Sequence, residues 1–432
     1  MNNINYIKVI SKAGRYYIFD AISNNIYELE KEDFELINDL KDLGYKSTLR
    51  ENVLNVEGMH NNAINNAKTL IIELTEECNI RCTYCVFDDA YDSERNHGNK
   101  YISEDMAIQE INKFYTRTNG TEAYLVFYGG EPLLNFKLIK NLVSYADDLS
   151  KNKFKYSFTT NAVSLSSDKF DFLVEHNFKI TISIDGPKNV HDSRRLSKNG
   201  KGTFDIVLKN LNKLREFNFE YFYKNVDFNC TISNTDEIDE INNFFISNDL
   251  FKKEKVRFSP IIQKSIQLDK EISSSISEDE FISSLKSRKP VLFKSDDNIG
   301  IVQESFLGDI VKKIRYRLLD EKAMERKKIC IPFANRTYVR VDGSIQFCER
   351  IQNYNPVTSQ ENLVIQSKKI YDQFYLMKSK SCEACFAYNF CEMCPASFIE
   401  EGRFSQKFAI DKCNEFRLNV EKAMNIYINS ME

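Results

Sequence analysis

Three cysteines fall within eight positions of the sequence, Cys78, Cys82 and Cys85, in the run CNIRCTYC. A 4Fe–4S cluster normally takes one thiolate for each of its four irons, and a tetrahedral structural zinc also takes four ligands. Three close thiolates therefore predict either a distant fourth ligand or a metal with one coordination position left open.

Most of the other cysteines lie near the C-terminus. The 432-residue chain has 11 cysteines, and seven of them fall between residues 330 and 413. Ligands cluster in short loops, whereas structural cysteines scatter as small buried side chains. The predicted ligands of this region are Cys330, Cys348, Cys382, Cys385, Cys391, Cys394 and Cys413. The paired Cys-x2-Cys units among them also allow zinc ribbons. Cys230 stands alone in an apolar strand pattern, which predicts a buried, inert thiol.

The composition is that of an ordinary globular protein. Hydrophobic residues make up 42% and charged residues 28% of the chain, and the net charge is −4, which gives no electrostatic reason to expect a nucleic-acid partner. The N-terminus is too polar for a signal peptide and no run is long and apolar enough to span a bilayer. We therefore expect a cytoplasmic protein without a membrane partner. In that compartment metal binding is a better explanation of the cysteines than disulfides.

The chain divides into four predicted segments. Residues 1–65 show three short strand patterns, YIKVIS, RYYIFDA and NIYELE, followed by a helical stripe, which predicts a small α+β unit. Residues 69–265 alternate six apolar strands with amphipathic helices, which predicts a parallel sheet covered by helices. Residues 266–328 are predicted to connect it to a loop-rich, metal-dependent segment, 329–432. The pattern alone leaves an open sheet and a partial barrel undecided, but in both the chemistry collects at the carboxyl ends of the strands.

The first three cysteines, with Tyr84 before the last of them, resemble the cluster motif of the radical S-adenosylmethionine (SAM) superfamily. This resemblance implies a partial (β/α)6 barrel holding a 4Fe–4S cluster whose open iron is filled by SAM. It also implies that an external donor, flavodoxin or ferredoxin, supplies the electron that cleaves SAM. The resulting 5′-deoxyadenosyl radical would abstract hydrogen from the substrate.

Further motifs at the strand ends carry the same resemblance, which spans roughly residues 69–262. They are GGEP after the second strand, TTNA after the third, where the family has Gly in place of Ala162, and SIDGP after the fourth. Alone, GGE would be read as a simple turn. The SAM-contacting residues implied are Tyr84, Gly129, Gly130, Glu131, Pro132, Asn161, Ser183, Arg195 and Asn229.

The C-terminal cysteines resemble the SPASM extension, which carries two auxiliary 4Fe–4S clusters, so that the protein would hold three clusters in all. Carried over by position, the distal cluster would be held by Cys382, Cys385, Cys391 and Cys413. The proximal cluster would be held by Cys330, Cys348 and Cys394. The last pair of cysteines, Cys391 and Cys394, is separated by two residues where the family usually has three. Zinc ribbons remain the alternative.

The small N-terminal unit resembles the winged-helix-like leader-recognition domain of peptide-modifying enzymes, which binds a peptide as an added strand. Together the resemblances predict a radical SAM maturase of a ribosomally made precursor peptide with a leader and a Cys-containing core. Thioether formation is the main prediction and carbon–carbon crosslinking its near alternative. An anaerobic sulfatase maturase is a second alternative, because Glu349 stands where that family has a catalytic Asp. A non-catalytic iron–sulfur or zinc scaffold is the third, and the intact GGEP and SIDGP motifs argue against it.

Overall fold

A computed structural model gives the structure of the chain for most of its length. It describes residues 6–21, 24–36, 63–85, 97–151, 153–233, 237–252, 255–260, 310–311, 313–314, 330–351, 354, 357, 362–382, 385–391, 393–400 and 402–431. Among these residues no helix combines the length and the apolar character needed to cross a membrane.

The three short N-terminal strands that the sequence predicts form an antiparallel sheet in the order β1-β2-β3. They are β1 (Tyr6–Ile10), β2 (Tyr16–Asp20) and β3 (Asn25–Leu29). Gly14 turns the chain between the first two with a φ of +79°, a conformation that glycine adopts without steric cost. A helix, α1 (Lys31–Leu36), follows the sheet, and the rest of the predicted helical stripe lies outside the described residues.

The six strands predicted from residue 69 onward form one parallel sheet. They are β4 (Thr69–Glu73), β6 (Ala123–Tyr128), β7 (Phe154–Thr160), β8 (Lys179–Ser183), β10 (Val226–Ile232) and β11 (Val256–Pro260). Successive strands are neighbours, as expected when each crossover carries a helix. Their side chains alternate: in β10 Val226, Phe228, Cys230 and Ile232 are buried, and the three residues between them are only partly buried.

Helices cover the apolar face of this sheet. They are α2 (Glu104–Arg117), α3 (Phe136–Ser150), α4 (Phe170–Glu175), α5 (Lys188–Asp192), α6 (Phe204–Phe217), α7 (Phe219–Asn225) and α8 (Ile238–Ser247). Ser103 caps α2 by accepting a hydrogen bond from the backbone N–H of Met106. Ile111 and Phe114 of α2 are fully buried in the core that this helix shares with the sheet. The α/β architecture predicted from the alternating pattern is confirmed.

The C-terminal region extends the same sheet. β12 (Thr337–Val339) runs parallel to β4, and β13 (Ile345–Gln346) pairs antiparallel with β12. The sheet therefore has eight strands in the order β11-β10-β8-β7-β6-β4-β12-β13. A separate hairpin, β14 (Ile399–Glu400) with β15 (Arg403–Phe404), follows further along the chain.

Two long helices also occur in the region for which the sequence predicts mainly loops. They are α9 (Leu363–Cys382) and α10 (Gln406–Met431). Along α10, Ala409 packs in one core with Phe374 and Phe398, whereas Val420 and Met424 pack in another. Because the partner of α10 changes along its length, its buried residues do not form one continuous apolar stripe, and the periodicity is weak.

The N-terminal sheet packs directly on the C-terminal region. Phe19 of β2 lies 5.6 Å, centroid to centroid, from Phe390 beside Cys391. Asn389 donates a hydrogen bond of 3.1 Å to the carbonyl of Ala21, and the N–H of Lys12 donates to Asn429 Oδ1 of α10 at 2.8 Å. The sheet therefore shares a core with α10 and the cysteine loop, while the four domain boundaries stay predictions.

Candidate functional site

The first cysteine group lies in the loop that follows β4. Cys78 and Cys82 are buried and Cys85 is partly buried. A short strand, β5 (Ile80–Cys82), pairs antiparallel with β9 (Arg195–Ser197), and Cys82 lies opposite Arg195. The cysteine loop is thus tied by backbone hydrogen bonds to the strand that carries a predicted SAM contact.

The two glycines of GGEP let this segment approach the backbone that leads to Cys78. The N–H of Gly130 donates to the carbonyl of Thr75 at 2.8 Å, and the N–H of Glu131 donates to that of Glu77 at 2.8 Å. A Cβ on Gly129 would lie 2.4 Å from the Thr75 oxygen, and one on Gly130 would lie 2.3 Å from the Glu77 oxygen. Side chains at either position would force the two segments apart.

Glu131 is almost fully buried and accepts three hydrogen bonds. Its donors are the backbone N–H of Leu133 at 3.1 Å, the hydroxyl of Thr160 at 2.7 Å and the backbone N–H of Asn161 at 2.8 Å. Burial raises the pKa of this carboxyl above its ordinary value, and these hydrogen bonds oppose the rise. The carboxylate thereby fixes the ends of β6 and β7 relative to each other, and Pro132 starts the 3₁₀ turn that follows it.

Asn161 joins the end of β7 to the cysteine loop. Its Nδ2 donates to Asn79 Oδ1 at 2.8 Å and lies 3.6 Å from the Sγ of Cys78. The next residue, Ala162, is fully buried and has a φ of +60°, in the left-handed region that favours glycine. Ala162 therefore holds a backbone conformation that a glycine would adopt without steric cost.

Tyr84, Asp185 and Arg195 form a buried polar cluster beside Cys82. The Tyr84 hydroxyl donates to Asp185 and accepts from Arg195 Nη1, and Arg195 lies 3.8 Å from the Asp185 carboxylate. Asp185 also accepts from the N–H of Thr231 at the end of β10. Sequence reasoning gave Asp185 no role. The sequence feature that could have identified it is a carboxylate at the end of an apolar strand, because a buried carboxylate requires a partner.

His191 supports this cluster from behind and is fully buried. Its Nδ1 accepts from the N–H of Asp185 at 3.4 Å, and its Nε2 lies 3.1 Å from the hydroxyl of Thr203. That hydroxyl donates to the carbonyl of Arg195, so Nε2 carries the proton and donates to Thr203. Burial, with Arg195 nearby, lowers the pKa of His191 to about 4.

Ser183 is the last residue of β8, and Asn229, in the middle of the longer β10, is paired with it in the parallel register. Asn229 also accepts a hydrogen bond from Ser259 of β11 at 3.3 Å. The structure thus places both predicted contacts at the edge of the sheet that carries the cysteine loop. Their contact with SAM stays a prediction.

Four C-terminal cysteines line one small cavity. They are Cys382, Cys385, Cys391 and Cys413. Burial raises the pKa of Cys382 to about 12 and that of Cys413 to about 11, and the neighbouring thiols add to both shifts. The structure therefore brings together the four cysteines that the sequence assigns to the distal cluster, which we call the distal site.

Cys330, Cys348 and Cys394 form a second group, the proximal site. Burial raises the pKa of Cys330 to about 11 and that of Cys348 to about 12, and Cys394 adds to both shifts. Glu349 lies in the same group, with Oε2 3.6 Å from the Sγ of Cys348. Its other oxygen is paired with Arg336. The predicted general base is thus held in an ion pair, and its catalytic role stays a prediction.

Cys230 belongs to neither group. It is fully buried in β10, within the core between sheet and helices. Burial raises the pKa of this thiol well above its ordinary value. The predicted burial of this residue is confirmed.

The donor sets of the three groups consist of three, three and four thiols. In a 4Fe–4S cluster each thiolate binds its own iron, so thiol-only sets of this size suit such clusters. Within the part of the chain that the structure describes, no three His, Cys, Asp or Glu side chains are arranged as ligands of a single ion.

Residues 72–244, which contain this cysteine loop and the strand ends around it, match the radical SAM superfamily. The chain carries a radical SAM domain. Within this domain lie GGEP, Asn161, Ser183, Arg195 and Asn229, as the motifs predicted.

Similar proteins include a sulfatase-maturating enzyme and a cyclopropyl synthase. The cysteine-type anaerobic sulfatase-maturating enzyme of Clostridium novyi is 29% identical over 197 residues, which are 45% of this chain and 50% of the relative. The radical SAM cyclopropyl synthase TigE of Paramaledivibacter caminithermalis is 25% identical over 191 residues, 42% of this chain and 40% of that one. The chain thus spans about half the length of the curated relatives it matches.

The fold is also that of solved structures. The structure described as anSMEcpe with bound AdoMet aligns with a TM-score of 0.60 at 17% identity, covering 84% of this chain and 94% of that one. The same protein with AdoMet and the Kp18Cys peptide aligns with a TM-score of 0.57 at 17% identity, covering 84% of this chain and 98% of that one. At this identity the likeness shows a shared fold and nothing more.

Proposed function

We propose that the protein is a radical SAM maturase that forms a thioether between a cysteine sulfur and a carbon of another residue in a ribosomally made precursor peptide. The observation that carries the proposal is the arrangement of the C-terminal thiols. Four surround one cavity and three form a separate group, as two auxiliary clusters require. SAM bound at the first cysteine group would supply the 5′-deoxyadenosyl radical that removes hydrogen from the substrate.

The residues around the first group are suited to hold SAM. Glu131 presents a buried negative charge near Cys78, where an ammonium group would be stabilised. Arg195, whose Nε is buried and has no hydrogen-bond partner, is suited to a carboxylate. Asp185 and Tyr84 hold the guanidinium in place. We assign Ser183 and Asn229, at the same edge of the sheet, to the ribose.

The proximal site supports a sulfur-containing substrate. It offers three thiols, and Cys230 lies instead in the core of the radical SAM domain. A soft metal site with three thiolates takes a further sulfur donor readily. We propose that the cysteine of the core peptide is that donor, which would hold its sulfur in a defined position for bond formation.

The N-terminal sheet supports leader binding by strand addition. Among the described residues β3 pairs with β2 along one edge, whereas its other edge has no strand partner. A peptide that binds an open edge gains main-chain hydrogen bonds with little demand on sequence.

We further propose that a flavodoxin or a ferredoxin is the electron donor and that the protein is cytoplasmic.

Sulfatase-type oxidation to formylglycine is the second candidate, and it rests on Glu349. A carboxylate beside Cys348 is suited to accept a proton from a substrate. One of its oxygens is already engaged in the ion pair with Arg336, so the thioether reaction is preferred. Carbon–carbon crosslinking differs from both in leaving the substrate sulfur free.

The deciding experiment is product analysis with the anaerobically reconstituted protein, SAM, a reductant and a precursor peptide whose core contains one cysteine. A thioether lowers the peptide mass by two hydrogens and blocks alkylation of the cysteine. A carbon–carbon crosslink gives the same mass change with a cysteine that still alkylates. Formylglycine would appear as loss of sulfur, and unchanged peptide with SAM turnover would contradict all three reactions.

A further inference from the structure

Two helices each bring one cysteine and one cation to the distal site. On α9, Lys378 precedes Cys382 by four residues, and on α10, Arg417 follows Cys413 by four residues. Residues four apart lie on the same face of a helix. Accordingly, both cations line the cavity that the four cysteines surround.

Arg417 contacts the cysteine group directly. Its Nε–H donates a hydrogen bond to the Sγ of Cys385 at 3.4 Å. A hydrogen bond from a cation to a ligand sulfur stabilises negative charge on that sulfur. The potential of an iron–sulfur cluster depends on hydrogen bonds to its sulfurs and on the net charge around it.

Lys378 is buried, with 6% of its surface exposed, and its Nζ lies 5.1 Å from the centroid of the Phe374 ring. In the described part of the chain no carboxylate lies within ion-pair distance of it. A buried ammonium without a counter-charge is costly. The four thiols are the groups beside it that become anionic on metal binding, so the cavity gains its counter-charge when it is loaded.

The charges balance when a cluster is bound. Four thiolates around a doubly positive 4Fe–4S core leave a net charge of minus two, which one lysine and one arginine neutralise. One-electron reduction adds a further negative charge. Two adjacent cations favour that more negative state, and in a partly buried site they are screened less than at the surface.

The proximal site has a different electrostatic environment. Its cysteines have a carboxylate beside them, with Glu349 Oε2 3.6 Å from the Sγ of Cys348. Arg336 pairs with Glu349 rather than with a thiol. The charge of Arg336 is thereby offset by a carboxylate, whereas in the described part of the chain no carboxylate pairs with Lys378, so the distal site keeps more uncompensated positive charge than the proximal site.

We propose that Lys378 and Arg417 are the counter-cations of the distal cluster and set its reduction potential above that of the proximal cluster. The proposal rests on the proposed function in so far as the distal site holds an iron–sulfur cluster. An electron released during substrate oxidation would then reside preferentially at the distal site, on the side of the molecule where the N-terminal sheet packs.

The test is a redox titration of the reconstituted full-length protein, followed by electron paramagnetic resonance of each cluster. Arg417→Gln and Lys378→Gln remove one charge each at similar size. Each should lower the ratio of reduced to oxidised distal cluster at fixed potential about tenfold, which is ~59 mV for a one-electron couple. The proximal signal should not move. Lys369→Gln on α9 and Lys407→Gln on α10, both exposed, are matched controls that should leave both potentials unchanged.

Arg417→Lys separates charge from packing. It should retain the distal cluster and keep its potential closer to that of the parent than Arg417→Gln does. Loss of distal iron in Arg417→Lys, or full iron with an unshifted potential in both glutamine variants, would overturn the role of the two cations. Zinc in place of iron at the four cysteines would instead overturn the cluster assignment, and metal analysis of the parent distinguishes the two failures.

Discussion

At Ala162 a residue with a Cβ occupies a left-handed backbone conformation in a fully buried turn. We expect Ala162→Gly to raise the free energy of unfolding by up to about 1 kcal/mol, because relief of backbone strain exceeds the extra entropy of the unfolded glycine chain. Urea denaturation measures the change. The matched control is Ala146→Gly in the interior of α3. The free energy of unfolding of this variant should fall by about 1 kcal/mol. A similar loss at Ala162 would contradict the strain argument.

His191 should make the stability of the radical SAM domain depend on pH. Its pKa is lowered to about 4 from 6.5, so the folded state binds its proton less readily than the unfolded state does. The stability present above pH 6.5 is therefore lost as pH falls from 6.5 towards 4, by about 2 kcal/mol between pH 7 and 5. The groups facing His191 are Asp185, Asp192, Arg195 and Lys188.

His191→Gln tests this dependence, because an amide can replace both hydrogen bonds without titrating. The stability of the variant should fall less than that of the parent between pH 7 and 5, in urea denaturation followed by circular dichroism. Equal losses in the two proteins would show that other groups cause the acid sensitivity.

The predictability of the site differed from residue to residue. Cys78, Glu131 and Arg195 were recognisable because spacing and motif constrain them. Asp185 and Arg417 were not, since a single charged residue has no periodicity and gains its meaning only from a partner distant in sequence. Arg417 and Cys385, which hydrogen-bond to each other, are separated by 32 positions along the chain.

At the scale of elements, the six parallel strands were predictable because each is an apolar run bounded by turn residues. The helices α9 and α10 were not, because they pack against different neighbours along their length and lack a single apolar stripe. The packing of the N-terminal sheet on α10 could not be predicted from the sequence either. Strand patterns indicate which face is buried, but not what covers it.

This docking predicts that the N-terminal sheet helps to retain iron at the distal site. Removal of residues 1–30 would expose Phe390, Val420 and Met424, which share the core of the sheet beside the cysteine loop. We expect loss of the distal cluster, measured as iron content and by electron paramagnetic resonance. SAM cleavage by the radical SAM domain should persist. A truncated protein with a full complement of iron would show that the sheet is not needed to hold the distal cluster.

At the scale of the whole molecule, the two auxiliary groups predict how iron is lost. Cys382→Ser and Cys413→Ser should each remove about four irons, and the double variant should remove no more, because both residues hold one cluster. Combining Cys382→Ser with Cys348→Ser should remove about eight, since these residues belong to separate sites. Additive losses from Cys382 and Cys413 would contradict the grouping.

The eight-stranded sheet has a consequence for the order in which the protein can be made. Leu70 of β4 is paired with Thr337 of β12, about 270 residues further along the chain. Until the ribosome has completed β12, one edge of β4 is without its neighbour, and unpaired strand edges template aggregation. Chains that stop before residue 337 should therefore be insoluble even though residues 72–244 are complete. Because β12 is so far from β4 along the chain, the pairing of these two strands is slow to form.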